Sequence, residues 1–276
     1  DYFIALLSYG LQIYFDFSAY SDMAVGLGMM FGVILPINFN SPYKAKSISE
    51  FWTTWHMTLN RFLETLIYFP MALKLKRTSI NNNFVQNFKI IFFSTIFTFF
   101  ISGFWHGAGW NFIIWGLYHG LLVVIHRTYN YLLNENKIKP IFSKNKLSVV
   151  TKIFITNIFV FLSWILFRSA DLGSSLIFFQ NLINIFDGSW NLIFQKGYLY
   201  KFFSIISLFS ICLFLPNSNQ IISILENISK KKPKNIALKF INFLQSIYAD
   251  LILLIIFILY YIRYNTENIP FIYYQF

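Results

Sequence analysis

Charge is scarce in this chain. Of its 276 residues only 12% are Asp, Glu, Lys or Arg, whereas 57% are hydrophobic and 21% aromatic. A soluble globular protein of this length has no use for 35 Phe and 17 Tyr beside so few charges, so a water-facing surface is excluded as the main design. Cysteine is nearly absent. Cys212 stands alone inside an apolar run and leaves no disulfide framework. Missing signatures narrow the chemistry further: there is no phosphate-cradling glycine loop, zinc signature or nucleotide fingerprint. No G-x-S-x-G elbow carries a serine nucleophile. The four histidines, His56, His106, His119 and His126, include no i, i+4 pair, so neither a metal nor a bound cofactor is expected. No signal peptide is visible either. The first residue, Asp1, leads straight into apolar sequence, and the chain is expected to lack its natural N-terminal part and some helices with it. Without internal repeats or low-complexity segments, residues 1–276 read as a single membrane domain, the C-terminal part of a longer protein.

Long apolar runs take the place of a charged surface. Several approach the roughly 20 residues that span a bilayer. The expected fold class is all-α, a polytopic helical bundle in the lipid bilayer with a re-entrant or interfacial helix. The formal charge of +11 does not mark a nucleic-acid partner, because the lysines gather in short loops, as membrane topology requires. Lys137, Lys139, Lys144 and Lys146 make one basic loop, and Lys230, Lys231, Lys232 and Lys234 a second. Both are expected in the cytoplasm, as is the loop at Lys74–Arg77, with Arg168 to Lys196 outside. That parity puts His106 towards the exoplasmic end of its helix and the C-terminus outside.

In chain order, Tyr2 to Leu35 is apolar but interrupted by YFDFSAYSD. Asp16 and Asp22 are expected there as helix-breaking caps or as hydrogen-bonding links between helices. Ala24, Gly28 and Gly32 recur every four residues, a spacing that lets two membrane helices approach closely. PINFNSP, Pro36 to Pro42, is a break. Ser47 and Glu50 then match a capping box. The helix they open, ISEFWTTWHMTLNRFLETLIYF, is too charged for a lipid-exposed span. Thr53, Met57, Asn60, Arg61 and Glu64 form a polar stripe with His56 at its edge, and Trp52, Leu59 and Leu63 lie opposite. Such a helix lies in the interface or enters the protein as a re-entrant element. Spans follow over Phe84–Gly103, over Asn111–Val124, over Leu147–Phe167 and over Leu199–Leu215, with the first basic loop lying within Arg127–Lys152, a shorter apolar segment at Ser174–Phe186 and a closing span over Asp250–Tyr264.

The stretch FWHGAGWNFIIWGLYH, Phe104 to His119, joins two of these spans. A histidine between Trp105 and Gly107 at a helix mouth is either hydrogen-bonded at the interface or functional, since ionisable groups at membrane depth are costly. In the helix after it, Asn111, Trp115, Tyr118, His119, Leu122 and His126 share one face, and Gly116 and Gly120 make a packing surface elsewhere. His119 is expected to point into the bundle, as a core histidine or a catalytic support. His126, near the basic end, is expected to be solvated. Intramembrane histidines beside tryptophans, glycines and an asparagine can support acyl transfer to a hydroxyl, the imidazole serving as general base. They can equally belong to a transporter.

Three ordered segments, FDFSAYSDMAVGLGMMFG, NFNSPYKAKSISEFWTTWHMTLNRF and FISGFWHGAGWNFIIWGLYHG, resemble the bacterial branch of the membrane-bound O-acyltransferase family, the alginate and peptidoglycan O-acetyltransferase-like members. The final PFIYYQF resembles that group's C-terminus. The resemblance implies His106 as the catalytic histidine and His56 as the second, with Trp105, Asn60, Trp110, Asn111 and His119 in binding or support. It implies an acyl thioester such as acetyl-CoA as donor substrate and an exported polysaccharide as acceptor. It further implies a periplasmic acetyltransferase partner and a multi-pass location in the bacterial inner membrane. D-alanyl transfer from a carrier protein towards teichoic acid is the sister activity, and a non-catalytic transporter or scaffold is the other alternative. Two departures from the family pattern bear on the acceptor or the partner. Thr53 and Thr54 stand where arginines are usual between the two tryptophans, and Leu63-Glu64-Thr65 and Met71-Ala72-Leu73 replace an arginine-aspartate pair and a diglycine.

Overall fold

A computed structural model describes residues 2–78, 83–142, 145–184 and 196–230. Contacts gather into two compact units, residues 1–217 and 218–276. The described part of the second is α10 (Ser218–Lys230). The basic loop beyond Lys230, the expected closing span and the C-terminal PFIYYQF lie outside the described residues, as does Lys144.

Every regular element among the described residues of the first unit is helical. Its centre is a hairpin of α5 (Phe84–His106) and α6 (Trp110–Asn134). Asn83 starts α5 by accepting the Gln86 N–H at 3.0 Å. The two helices run antiparallel, with Gly103 against Gly116 near the turn and Asn87 bonded to Tyr131 at the far end. A Cβ on Gly116 would overlap the Phe99 carbonyl oxygen, and one on Gly103 the Phe112 carbonyl oxygen. Backbone is therefore packed on backbone, as the small-residue spacing predicts. α7 (Lys146–Arg168) lies against α6 and against α1 (Tyr2–Met30), where the Phe161 ring fills the space beside Gly10. α8 (Leu172–Asn184) is capped by Asp171, whose carboxylate accepts the Ser174 N–H at 2.7 Å. That exposed carboxyl is held below its ordinary pKa by the Ser174 bonds. α9 (Lys196–Phe214) packs on α1. α5 and α7 are each long and apolar enough to cross a membrane. α1 and α6, at 29 and 25 residues, have the length, and the polar residues of α6 at Asn111 and His119 are buried in protein.

Four expectations give way here. Asp16 and Asp22 do not break α1, which runs unbroken through both; Asp16 instead hydrogen-bonds Gln12 one turn back. Among the described residues, the Gly28–Gly32 end of the small-residue spacing meets no second helix. α1 ends at Met30, Gly32 takes φ 75 just beyond it, and the Val33 N–H returns to the Gly28 carbonyl at 2.8 Å, a glycine-terminated helix end. The helix expected from Ile48 onward is broken into α2 (Ile48–Thr54), α3 (Met57–Leu63), a π turn (Glu64–Tyr68) and α4 (Phe69–Arg77). Finally, His126 is half-buried, with its Nδ1 2.8 Å from the Ser49 hydroxyl, because α6 continues past it to Asn134 and faces α2 there.

The core is aromatic. Trp115, Trp164, Tyr43, Phe51 and His119 are fully buried where α2, α6, α7 and the 3-10 turn Pro42–Lys44 converge. Trp55 packs on Trp164 at 5.1 Å and Trp52 on Trp115 at 5.7 Å between ring centres. Tyr43 donates its hydroxyl to the Gly10 carbonyl, and its own carbonyl accepts from Asn157 at 2.8 Å, which pins the turn between α1 and α7.

Candidate active site

The break between α2 and α3 positions the first histidine. Ser47 begins α2 by accepting the Glu50 N–H at 3.2 Å, and the Glu50 carboxylate turns back to the Lys46 N–H at 2.8 Å. This is a capping box displaced by one residue. The Thr53 and Thr54 hydroxyls both bond the Glu50 carbonyl, which loosens the last turn. Trp55 is then extended, and His56 takes the left-handed conformation at φ 42, ψ 52. Among non-glycine residues this region is sparsely used and carries a conformational cost. Broken backbone inside a membrane protein must find partners in protein. The extended segment 38–40 supplies them: Asn40 N–H donates to the Thr54 carbonyl at 3.0 Å, and Met57 N–H to the Asn38 carbonyl at 2.9 Å.

His56 is held on three sides. Its Nδ1 lies 3.1 Å from Asn38 Oδ1, and Phe17 of α1 meets its ring edge-on at 4.8 Å. The Trp105 ring of α5 is 6.2 Å away. The same Trp105 is 4.8 Å from His106, so the two histidines flank one indole. His106 ends α5 and packs edge-on against Trp115 and Phe167, each at 5.0 Å. Gly107 follows because a Cβ there would meet the Phe112 ring at 2.6 Å.

Beside this pair opens a cavity of roughly 80 Å³ between α2, α3, α5 and α6. Its wall is mainly apolar, with the hydroxyls of Ser49, Thr95, Thr98 and Ser102 and the Asn60 amide set into it. At one end stand Arg127 and Glu64, 3.7 Å apart, with the guanidinium 4.5 Å above the Tyr68 ring. Both side chains are about 30% exposed, so the ion pair adds at most ~1 kcal/mol. At the other end, Asn60 lies one turn on from His56, whose carbonyl receives its N–H at 3.0 Å, and Ser102 lies one turn before His106. The cavity thus runs from an ionic end, among residues near the basic loops, to within one helical turn of both histidines.

The remaining sequence candidates fall elsewhere. His119 is a core residue. The Trp52 indole N–H can only donate, so His119 Nδ1 accepts at 3.3 Å and Nε2–H donates to Ser163 Oγ at 2.9 Å. The Ser163 hydroxyl in turn donates to the Val160 carbonyl at 2.6 Å. Both ring nitrogens are engaged, and His119 reaches His106 only through Trp115, whose ring lies 5.0 Å from each. Asn111 gives its amide to the carbonyls of Leu166 and Ser169, closing the end of α7. Trp110 is 69% exposed at the start of α6, and Trp105, though 59% exposed, is the indole between the histidines. Asn38, Phe17 and Arg127 at this site are not among the sequence candidates. Asn38 and Phe17 lie inside NFNSP and FDFSAY, which signal only a turn and an interruption, and Arg127 begins the expected basic loop, through which α6 continues. Among the described residues no group of three or more His, Cys, Asp or Glu could hold a metal.

Comparison with known proteins bears on the same residues. The model of the membrane-bound O-acyltransferase family matches residues 2–170, which include every candidate above. The chain is 43% identical over 179 residues to a peptidoglycan O-acetyltransferase of Helicobacter pylori, covering 65% of this chain and 31% of that protein. It is 33% identical over 192 residues to a probable alginate O-acetylase of Pseudomonas aeruginosa, covering 70% and 33%. A teichoic acid D-alanyltransferase of Streptococcus thermophilus is 32% identical over 168 residues, covering 58% and 39%. The chain spans about a third of the length of these curated relatives.

Proposed function

The chain belongs to the membrane-bound O-acyltransferase family, and we propose that it carries the chemical centre of an O-acetyltransferase of the bacterial inner membrane. In this reading an acetyl thioester such as acetyl-CoA enters from the cytoplasm, and the acetyl group leaves towards hydroxyls of an exported cell-surface polysaccharide, completed by a periplasmic transferase. One observation carries it: two histidines flank Trp105 one helical turn beyond a mainly apolar cavity that carries hydroxyls and an amide in its wall. His106 takes the proton of the acceptor hydroxyl while that oxygen bonds to the thioester carbonyl carbon. The carbon–sulfur bond then breaks, and the proton passes from the imidazolium to the departing thiolate. His56 positions the thioester or relays the proton. The peptidoglycan and alginate relatives support acetyl as the group moved, and the teichoic acid relative supports D-alanine as the second reading.

The test is polymer acetylation by the whole protein at matched expression. His106→Ala should lose about 10²–10⁴ in rate, the usual weight of a general base. His56→Gln should fall only about 2–13-fold, the loss of one hydrogen bond to a neutral group. Near-normal acetylation with His106→Ala would sink the assignment, and D-alanine transfer in place of acetyl would select the second reading.

A further inference from the structure

The break at His56 depends on an asparagine 18 residues upstream, and that asparagine also determines which nitrogen of the imidazole bears the proton. Three groups converge on Asn38 Oδ1: Thr58 N–H at 3.2 Å, Thr58 Oγ1 at 3.0 Å and His56 Nδ1 at 3.1 Å. A backbone N–H can only donate, so the amide atom facing Thr58 is the oxygen and not the NH₂. An amide oxygen can only accept, so His56 Nδ1 must be the donor. In the neutral ring this leaves Nε2 with the lone pair. The same residue satisfies the first free amides of α3, its carbonyl taking Met57 N–H at 2.9 Å where His56 itself offers no side-chain cap.

We propose that Asn38 is a positioning residue for the transfer reaction, holding His56 in the Nδ1–H form by a bond to Oδ1 so that Nε2 is the nitrogen offered to donor or acceptor. The proposal rests on the acyl-transfer reading only for the identity of what Nε2 meets. The left-handed backbone at His56 serves the same end, because it turns the residue out of the helical path to where the Asn38 amide reaches it. Phe17 and Trp105 offer the ring aromatic surface, and apart from the residue's own backbone the Asn38 oxygen is the polar group bonded to one of its two nitrogens.

A purely structural cap makes a different forecast from a positioning residue, and the histidine ring itself reports which applies. The whole protein in lipid nanodiscs, with ¹⁵N-labelled histidine, gives the tautomer of each ring by NMR, His56 being assigned by its disappearance in His56→Gln. The expected signature for His56 is Nδ1–H. In Asn38→Leu it should convert to a mixture of tautomers, with kcat for acetyl transfer falling about 2–13-fold and donor KM changing less. Asn38→Asp keeps an acceptor oxygen at the same place and should restore the Nδ1–H signature. An Nε2–H signature in the unaltered protein would overturn the proposal, and so would an unchanged His56 signal in Asn38→Leu. Should the unaltered protein transfer no acyl group yet carry Nδ1–H at His56, acyl transfer fails as the function while the Asn38 assignment stands.

Discussion

His56 carries its left-handed backbone without the freedom of glycine, and substitution there should reverse the usual order of helix-forming residues. In an ordinary helix Ala is more stable than Gly by roughly 0.5–1 kcal/mol. At φ 42 an added Cβ is strained at a cost of order 1 kcal/mol or more, so His56→Gly should be the more stable of the two variants. Thermal unfolding in detergent compares them directly, and a higher midpoint for His56→Ala would mean that the break relaxes once the imidazole is gone. Both variants lose the ring, so neither should keep full transfer activity. His119 shows how much of a residue's role a sequence can carry. Its inward direction followed from the helical period shared with Asn111 and Trp115, all three now buried. Its partners did not, because Trp52 and Ser163 come from α2 and α7, and nothing local encodes which helices meet.

Elements with a continuous apolar or small-residue period were legible, and the interrupted one was not. α5 and α7 have lengths close to those expected from hydropathy, α6 buries much of the expected face but runs on past Val124 to Asn134, and the glycines at 103, 116 and 120 mark the contact between α5 and α6. The segment WTTWHMTL holds neither Gly nor Pro, and its paired threonines loosen a turn without by themselves marking a stop at Trp55. What makes the stop tolerable is Asn38 and Asn40, which are remote in sequence. The glycine contact itself is open to test. Gly116→Ala places a Cβ on the Phe99 carbonyl oxygen, backbone that has no rotamer to escape by, and should destabilise the protein by about 1–3 kcal/mol. Gly26→Ala, where an added Cβ meets nothing within 4 Å, should be neutral or stabilising by up to ~1 kcal/mol. Equal thermal midpoints for the two would mean that the α5–α6 crossing has slack.

At the scale of the whole molecule, charge sets orientation. Lys137, beyond the end of α6, and Asp171, before α8, should face opposite sides of the membrane if the basic loop is cytoplasmic. Both are exposed, and the native Cys212 is buried. Single cysteines at these two positions in a Cys212→Ala background should therefore label with an impermeant reagent from opposite faces; labelling from one face overturns the topology. The cavity between α2, α3, α5 and α6 bears on how a membrane's own voltage reaches the site. Its mainly apolar wall carries hydroxyls that can partner entering water. A unit charge crossing a whole bilayer at 100 mV changes in energy by about 2.3 kcal/mol. Water entering from one side would bring that side's potential inward, and a charge moving between Ser102 and His106 would then cross more of the drop than its path's share of the bilayer thickness.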